Sequence, residues 1–126
     1  MPGTAKSFVV LGALLAALGV ALGAYGAHTL RTRLAPEALA VYQTAVQYHM
    51  WHALGLVAVG LLCYVLPTNG WLKTSGWLLA LGIVLFSGSL YLLAVTGARW
   101  LGAVTPFGGG AFIFGWLALA LALLRA

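Results

Sequence analysis

Seven charged side chains are all that this 126-residue chain carries, six basic and one acidic. They stand in five places: Lys6; Arg31, Arg33 and Glu37; Lys73; Arg99; and Arg125. Four apolar stretches are left, each able to supply the about 20 helical residues that cross a hydrocarbon layer. Soluble domains carry charge on roughly a quarter of their residues. At 6% charged and 63% hydrophobic, this is the composition of a membrane protein.

Lipid offers no partner to an open strand, and each stretch far exceeds the roughly ten residues of a barrel strand. The expected fold is therefore all-α, a transmembrane four-helix antiparallel bundle, in one integral membrane domain spanning 1–126. The charges and breakers set helices at approximately 7–27, 38–66, 71–96 and 106–124, and the short connections make neighbours antiparallel. Glu37 after Pro36 suits a helix start, because a negative charge favours the dipole and proline's missing N–H costs nothing there. Pro67, Asn69 and Gly70 break the chain before Trp71, and Thr105 with Pro106 reads as an N-cap and first-turn pair. The first run is longer than the apolar core of a signal peptide, so it is expected to remain as a helix.

Lys6, Lys73 and Arg125 fall on one membrane side, Arg31, Arg33 and Arg99 on the other. That tie is broken toward both termini in the cytoplasm, at a bacterial inner (cell) membrane, by the amino-terminal lysine. The basic residues are too sparse for a nucleic-acid footprint, which needs clustered phosphate contacts. They read as anchors at helix ends. Cys63, the single cysteine, reads as a small core residue.

Antiparallel threading gathers the unusual residues on the side of loops one and three. His28 closes helix one; Tyr42, Gln43, Gln47, Tyr48, His49 and His52 occupy the first half of helix two. Ser87, Ser89 and Tyr91 lie late in helix three, and Thr105 with Gly108, Gly109 and Gly110 opens helix four. At about 100° per residue, Tyr42, Ala45, Val46, His49, His52, Ala53 and Leu56 share one face. Counting back from Leu66 places His49 and His52 one or two turns inside the interface. Their expected partners are Ser87, Ser89, Tyr91 or backbone near Gly108. On helix one, Gly12, Ala16, Gly19, Gly23 and Ala27 form a small-residue stripe suited to close helix packing or to a homo-oligomer contact.

Four stretches carry a family resemblance: GAYGAHTL at 23–30, YQTAVQYHMWHALGL at 42–56, LFSGSLYLL at 85–93 and TPFGGGAFIFGW at 105–116. The chain resembles the family known as domain of unknown function 423, small four-helix membrane proteins of bacteria with relatives in eukaryotes. The resemblance implies a four-helix membrane protein and brings no established activity or catalytic residue.

The chemistry therefore rests on the polar residues themselves. Their plainest role is interhelical hydrogen bonding in a structural, accessory or interaction protein embedded among lipids, alone, as a homo-oligomer or in a larger complex. An alternative is a binding protein for a lipid or quinone head group, or for a metal held by His28, His49 and His52, since imidazole is a common ligand. Against the metal, no carboxylate or cysteine is placed to complete the set other than Glu37, about three turns from His49, and no cofactor is expected. A small transporter ranks lower, because the helical cores hold no acidic or basic residue apart from histidine. The glycine run at a helix start is a weak anion signal, with tight packing as its plainer role. Enzymatic activity is not expected: Ser87 or Ser89 beside His49 or His52 has the residue types of a hydrolase but no acid to orient the base.

Overall fold

The computed structural model describes residues 1–67 and 69–126. Among them are four helices long and apolar enough to cross a membrane, and no strand. Helix α1 runs Gly3–His28 and α2 runs Pro36–Val65. The third span is built from α3 (Gly70–Gly82), a π-helical turn over Ile83–Ser87, and α4 (Gly88–Thr96). Helix α5, Thr105–Leu124, completes an antiparallel bundle. Short 3-10 turns at Leu30–Thr32 and Arg99–Ala103 lead into α2 and α5.

The helix ends obey local chemistry, with two departures from expectation. Helix α1 starts a turn early, since nothing between Gly3 and Lys6 breaks it and Lys6 N–H donates to Pro2 O at 2.9 Å. Pro36 and Glu37 open α2 as read from sequence. Asn69 does more than break the chain: its side chain accepts from Leu72 N at 3.0 Å and caps α3. Gly97 ends α4 in the left-handed region, at φ 72°, where a side chain would be strained. Thr105 is not the cap of α5. It lies inside the first turn, and its hydroxyl turns to Ser89 Oγ at 2.6 Å instead.

Two reciprocal glycine contacts set the register. In α1 and α2 the pattern Ala-x3-Val-x2-Gly occurs at Ala5, Val9 and Gly12 and again at Ala53, Val57 and Gly60. Packed antiparallel, each glycine faces the other helix's backbone: a Cβ on Gly12 would lie 2.8 Å from Val57 N, and one on Gly60 would lie 2.8 Å from Val9 N. The third span and α5 share a different pattern, Gly-x3-Phe, at Gly82 and Phe86 and at Gly108 and Phe112. Here Phe112 covers Gly82, and Phe86 covers Gly108. Close backbone approach is how helices gain van der Waals contact where lipid removes much of the hydrophobic drive.

The small-residue seam of α1 differs from the expected stripe. Ala5, Gly12, Gly19 and Gly26 are the buried positions, every seventh residue, while Ala27 is exposed. A seven-residue period keeps one seam facing the partner in a left-handed supercoil, whereas the two successive steps of four from Gly19 through Gly23 to Ala27 leave it.

Candidate functional site

On α2 the expected face turns inward: Tyr42, Ala45, His49, His52, Ala53 and Leu56 are buried and Val46 is half-buried. The two histidines stand near the middle of α2. His49 reaches Leu15, halfway along α1, and His52 stacks on Phe112, the residue covering Gly82. Gly26 packs on Tyr42, so the first turn of α2 continues past the end of α1.

His49 is 1% exposed and both ring nitrogens are engaged. Nε2 lies 2.7 Å from Leu15 O and Nδ1 lies 2.8 Å from the Tyr91 hydroxyl. A carbonyl oxygen only accepts, so Nε2 carries the proton. In the neutral ring Nδ1 then accepts from Tyr91 O–H. The imidazole thus ties the first span to the third through the second.

The carbonyls that α2 uses on α1 lie near glycines. Leu15 O lies one turn before Gly19, and Tyr42 O–H donates to Leu22 O at 2.5 Å, one turn before Gly26. A Cβ on Gly26 would stand 2.5 Å from the Tyr42 ring, whereas one on Gly19 would clash with Met50 Sδ and make only ordinary contact, at 3.4 Å, with the His49 ring. Bare glycine at position 26 lets the Tyr42 side chain reach a carbonyl already bonded within the helix. Gly26 thus gates a polar contact as well as the packing, while Gly19 makes room for Met50. Sequence reasoning missed Gly26, and its seven-residue spacing from Gly19 was the signal that could have found it.

Ser87, the last residue of the π turn, donates to Ala45 O at 2.8 Å. Ser89 donates to Phe86 O at 2.9 Å and meets Thr105 Oγ1. A π turn inserts a residue and rotates the rest of the helix by about 100°, so a straight-helix wheel does not carry through it. Tyr42 and Tyr91 close the group from above, with ring centroids 5.3 Å apart.

His52 is seated differently. Its Nδ1 lies 2.7 Å from Tyr48 O one turn back on its own helix, so the expected interhelical partners are not used. The carbonyl again fixes the proton, here on Nδ1. The ring lies parallel to Phe112 with centroids 3.6 Å apart and has Trp116 at 5.7 Å. Among the described residues, no atom pairs with Nε2. Ser75 Oγ is the one sealed, unpartnered side-chain polar atom among them, so Nε2 keeps access to the exterior. Beside it is a recess of about 280 Å³ lined by Tyr48, His52, Phe86, Gly109, Phe112, Ile113 and Trp116.

The other singled-out residues divide clearly. His28 is exposed at the end of α1 and joins neither histidine, and among the described residues no three His, Cys, Asp or Glu side chains come together to hold a metal. The reason is orientation, since His49 points to α1 and Tyr91 while His52 points to α5. Gly108 is consumed by the Phe86 backbone, whereas Gly109 borders the recess and Gly110 has open space around it. Gln43 and Gln47 face outward beside a groove of about 290 Å³ formed with Gly23, Gly26 and Ala27.

The comparisons with known proteins agree with this architecture. A family model described as a protein of unknown function (DUF423) matches residues 22–109. The UPF0382 membrane protein YwdK of Bacillus subtilis is 51% identical over 120 residues, covering 95% of this chain and 98% of the relative. A UPF0382 membrane protein of Staphylococcus epidermidis is 48% identical over 124 residues, covering 95% and 97%. Another, from Staphylococcus saprophyticus, is 47% identical over 120 residues, covering 92% and 95%. No solved structure matches the chain. The chain is a small four-helix membrane protein and belongs to the DUF423 family.

Proposed function

We propose that the protein is a non-enzymatic membrane interaction module that associates with a second copy of itself through the outer face of α1 and α2. The observation that carries this reading is the pair Gln43 and Gln47, exposed on a membrane-spanning helix beside the small-residue groove of Gly23, Gly26 and Ala27. With about 30 Å of hydrocarbon centred on α1, Gln47 falls about one turn inside it. A primary amide facing lipid there is costly without a partner, and small residues let a second helix come close. Primary amides both donate and accept, so these two side chains are self-complementary across a two-fold axis, the commonest symmetry of protein dimers. Ser87 supports the absence of catalysis, because its hydroxyl is spent on the Ala45 carbonyl rather than aimed at a histidine.

Cross-linking in native membranes tests the reading. Cys63 is buried, so a Gln47→Cys variant has one accessible thiol. Oxidation is expected to give a covalent dimer from Gln47→Cys and none from Leu92→Cys, which is exposed on α4. Equal yields from both sites would reject self-association. We also place both termini in the cytoplasm at the cell membrane, on the strength of Lys6. An active alkaline phosphatase fused after Ala126 would overturn that orientation.

A further inference from the structure

The recess beside His52 combines three properties that rarely meet by accident. Its walls are aromatic, its rim opens sideways to lipid at Ile113 and Trp116, and His52, only 6% exposed, brings to it an unpaired Nε2 beside the Tyr48 hydroxyl and the Trp116 Nε1–H, which also have no protein partner among the described residues. The protonation of the His52 ring is fixed. With the Nδ1 proton given to Tyr48 O, Nε2 of the neutral imidazole only accepts. A charged ring has no counter-ion here, since Glu37, the sole acid, is exposed at the start of α2.

The geometry points to a binding site in this recess for a membrane-soluble phenol or hydroquinone, whose ring lies against Phe112 and Trp116 and whose O–H donates to His52 Nε2. An apolar cavity of about 150 Å³ holds benzene. The recess, at about 280 Å³, therefore takes a substituted ring. Entry is lateral, from the acyl-chain region, because Ile113 and Trp116 at the rim are exposed at 62% and 41% on α5, a helix without charge. A ligand with an apolar tail fits that route. The acceptor character of Nε2 also sets a preference: a hydroquinone supplies the donor that Nε2 lacks, while the corresponding ether brings only acceptors, which Tyr48 O–H and Trp116 N–H alone could meet.

The test uses the whole chain in lipid nanodiscs, with empty nanodiscs as the blank for partitioning. An alkyl hydroquinone under anaerobic reducing conditions and its dimethyl ether are each titrated by calorimetry. The hydroquinone is expected to bind saturably, one per chain, and the ether at least ten-fold more weakly. His52→Phe keeps a ring on Phe112 and is expected to erase the ten-fold difference. Ile113→Trp fills the rim from a lipid-facing position, where folding is not at stake, and is expected to abolish saturable binding of both. The proposal is overturned by equal binding of hydroquinone and ether, by discrimination that survives in His52→Phe, by saturable binding that survives in Ile113→Trp, or by partitioning alone.

Discussion

His49 and His52 stand three residues apart on one face of α2, both almost sealed, and they have opposite fates. Both nitrogens of His49 are paired, one to Leu15 O and one to Tyr91 O–H, and the ring joins three spans. His52 satisfies one nitrogen within its own helix and leaves the other facing an aromatic recess. Burial alone does not separate a structural polar group from a binding one. The number of unspent lone pairs does, because in lipid a polar atom without a partner is retained at a cost.

The largest way to break this contrast is to delete the bridging ring. His49→Ala removes packing volume and leaves the Tyr91 hydroxyl without an acceptor, so a loss of about 2–4 kcal/mol is expected. Thermal unfolding in detergent, monitored by circular dichroism, reads it. A smaller loss in His49→Ala than in His52→Ala would reverse the assignment of the two seats.

Next in size is the glycine that lets α2 reach α1. Gly26→Ala sets a methyl group against the Tyr42 ring and lifts it from Leu22 O, for about 1–3 kcal/mol of destabilisation. Gly110→Ala is the matched control, since nothing lies within 4 Å of a Cβ there. That change is expected to stabilise its helix by about 0.5–1 kcal/mol. Equal melting of the two variants would mean that the glycine at position 26 does not gate the tyrosine contact.

Parts of this arrangement are legible in the sequence alone. The charges delimit four spans, and a simple wheel finds the inward face of α2 from Tyr42 to Leu56, since one regular helix carries all of it. The His49–Tyr91 pair lay within the expected choices. The hidden part depends on register between helices. Gly26 means little until Tyr42 is known to lie opposite. The π turn at Ile83–Ser87 has no plain signature, yet it rotates everything after it, so Ser87 finds Ala45 while Ser89 finds Thr105. Thr105 before a proline looked like a cap because the competing hydroxyl, Ser89, is distant in sequence.

Smaller again is the hydrogen bond itself. Tyr91→Phe keeps the ring against Tyr42 and removes one donor, and such bonds between membrane helices are worth about 1 kcal/mol. A double-mutant cycle with His49→Phe isolates it, and a coupling indistinguishable from zero would show that Tyr91 contributes only its ring.

The smallest expected effect is the most discriminating. His52→Phe should change stability by less than about 1 kcal/mol, because the new ring still stacks on Phe112 and such volume-conserving apolar swaps are well tolerated. The Tyr48 carbonyl keeps its helical bond, and the polar atom removed had no protein partner to strand. His49→Phe, the same exchange three residues away, strands the Tyr91 hydroxyl and should cost about 1–3 kcal/mol. Equal costs at the two positions would mean that His52 Nε2 is already satisfied within the bundle, and the recess would then be a fold in the surface rather than a site.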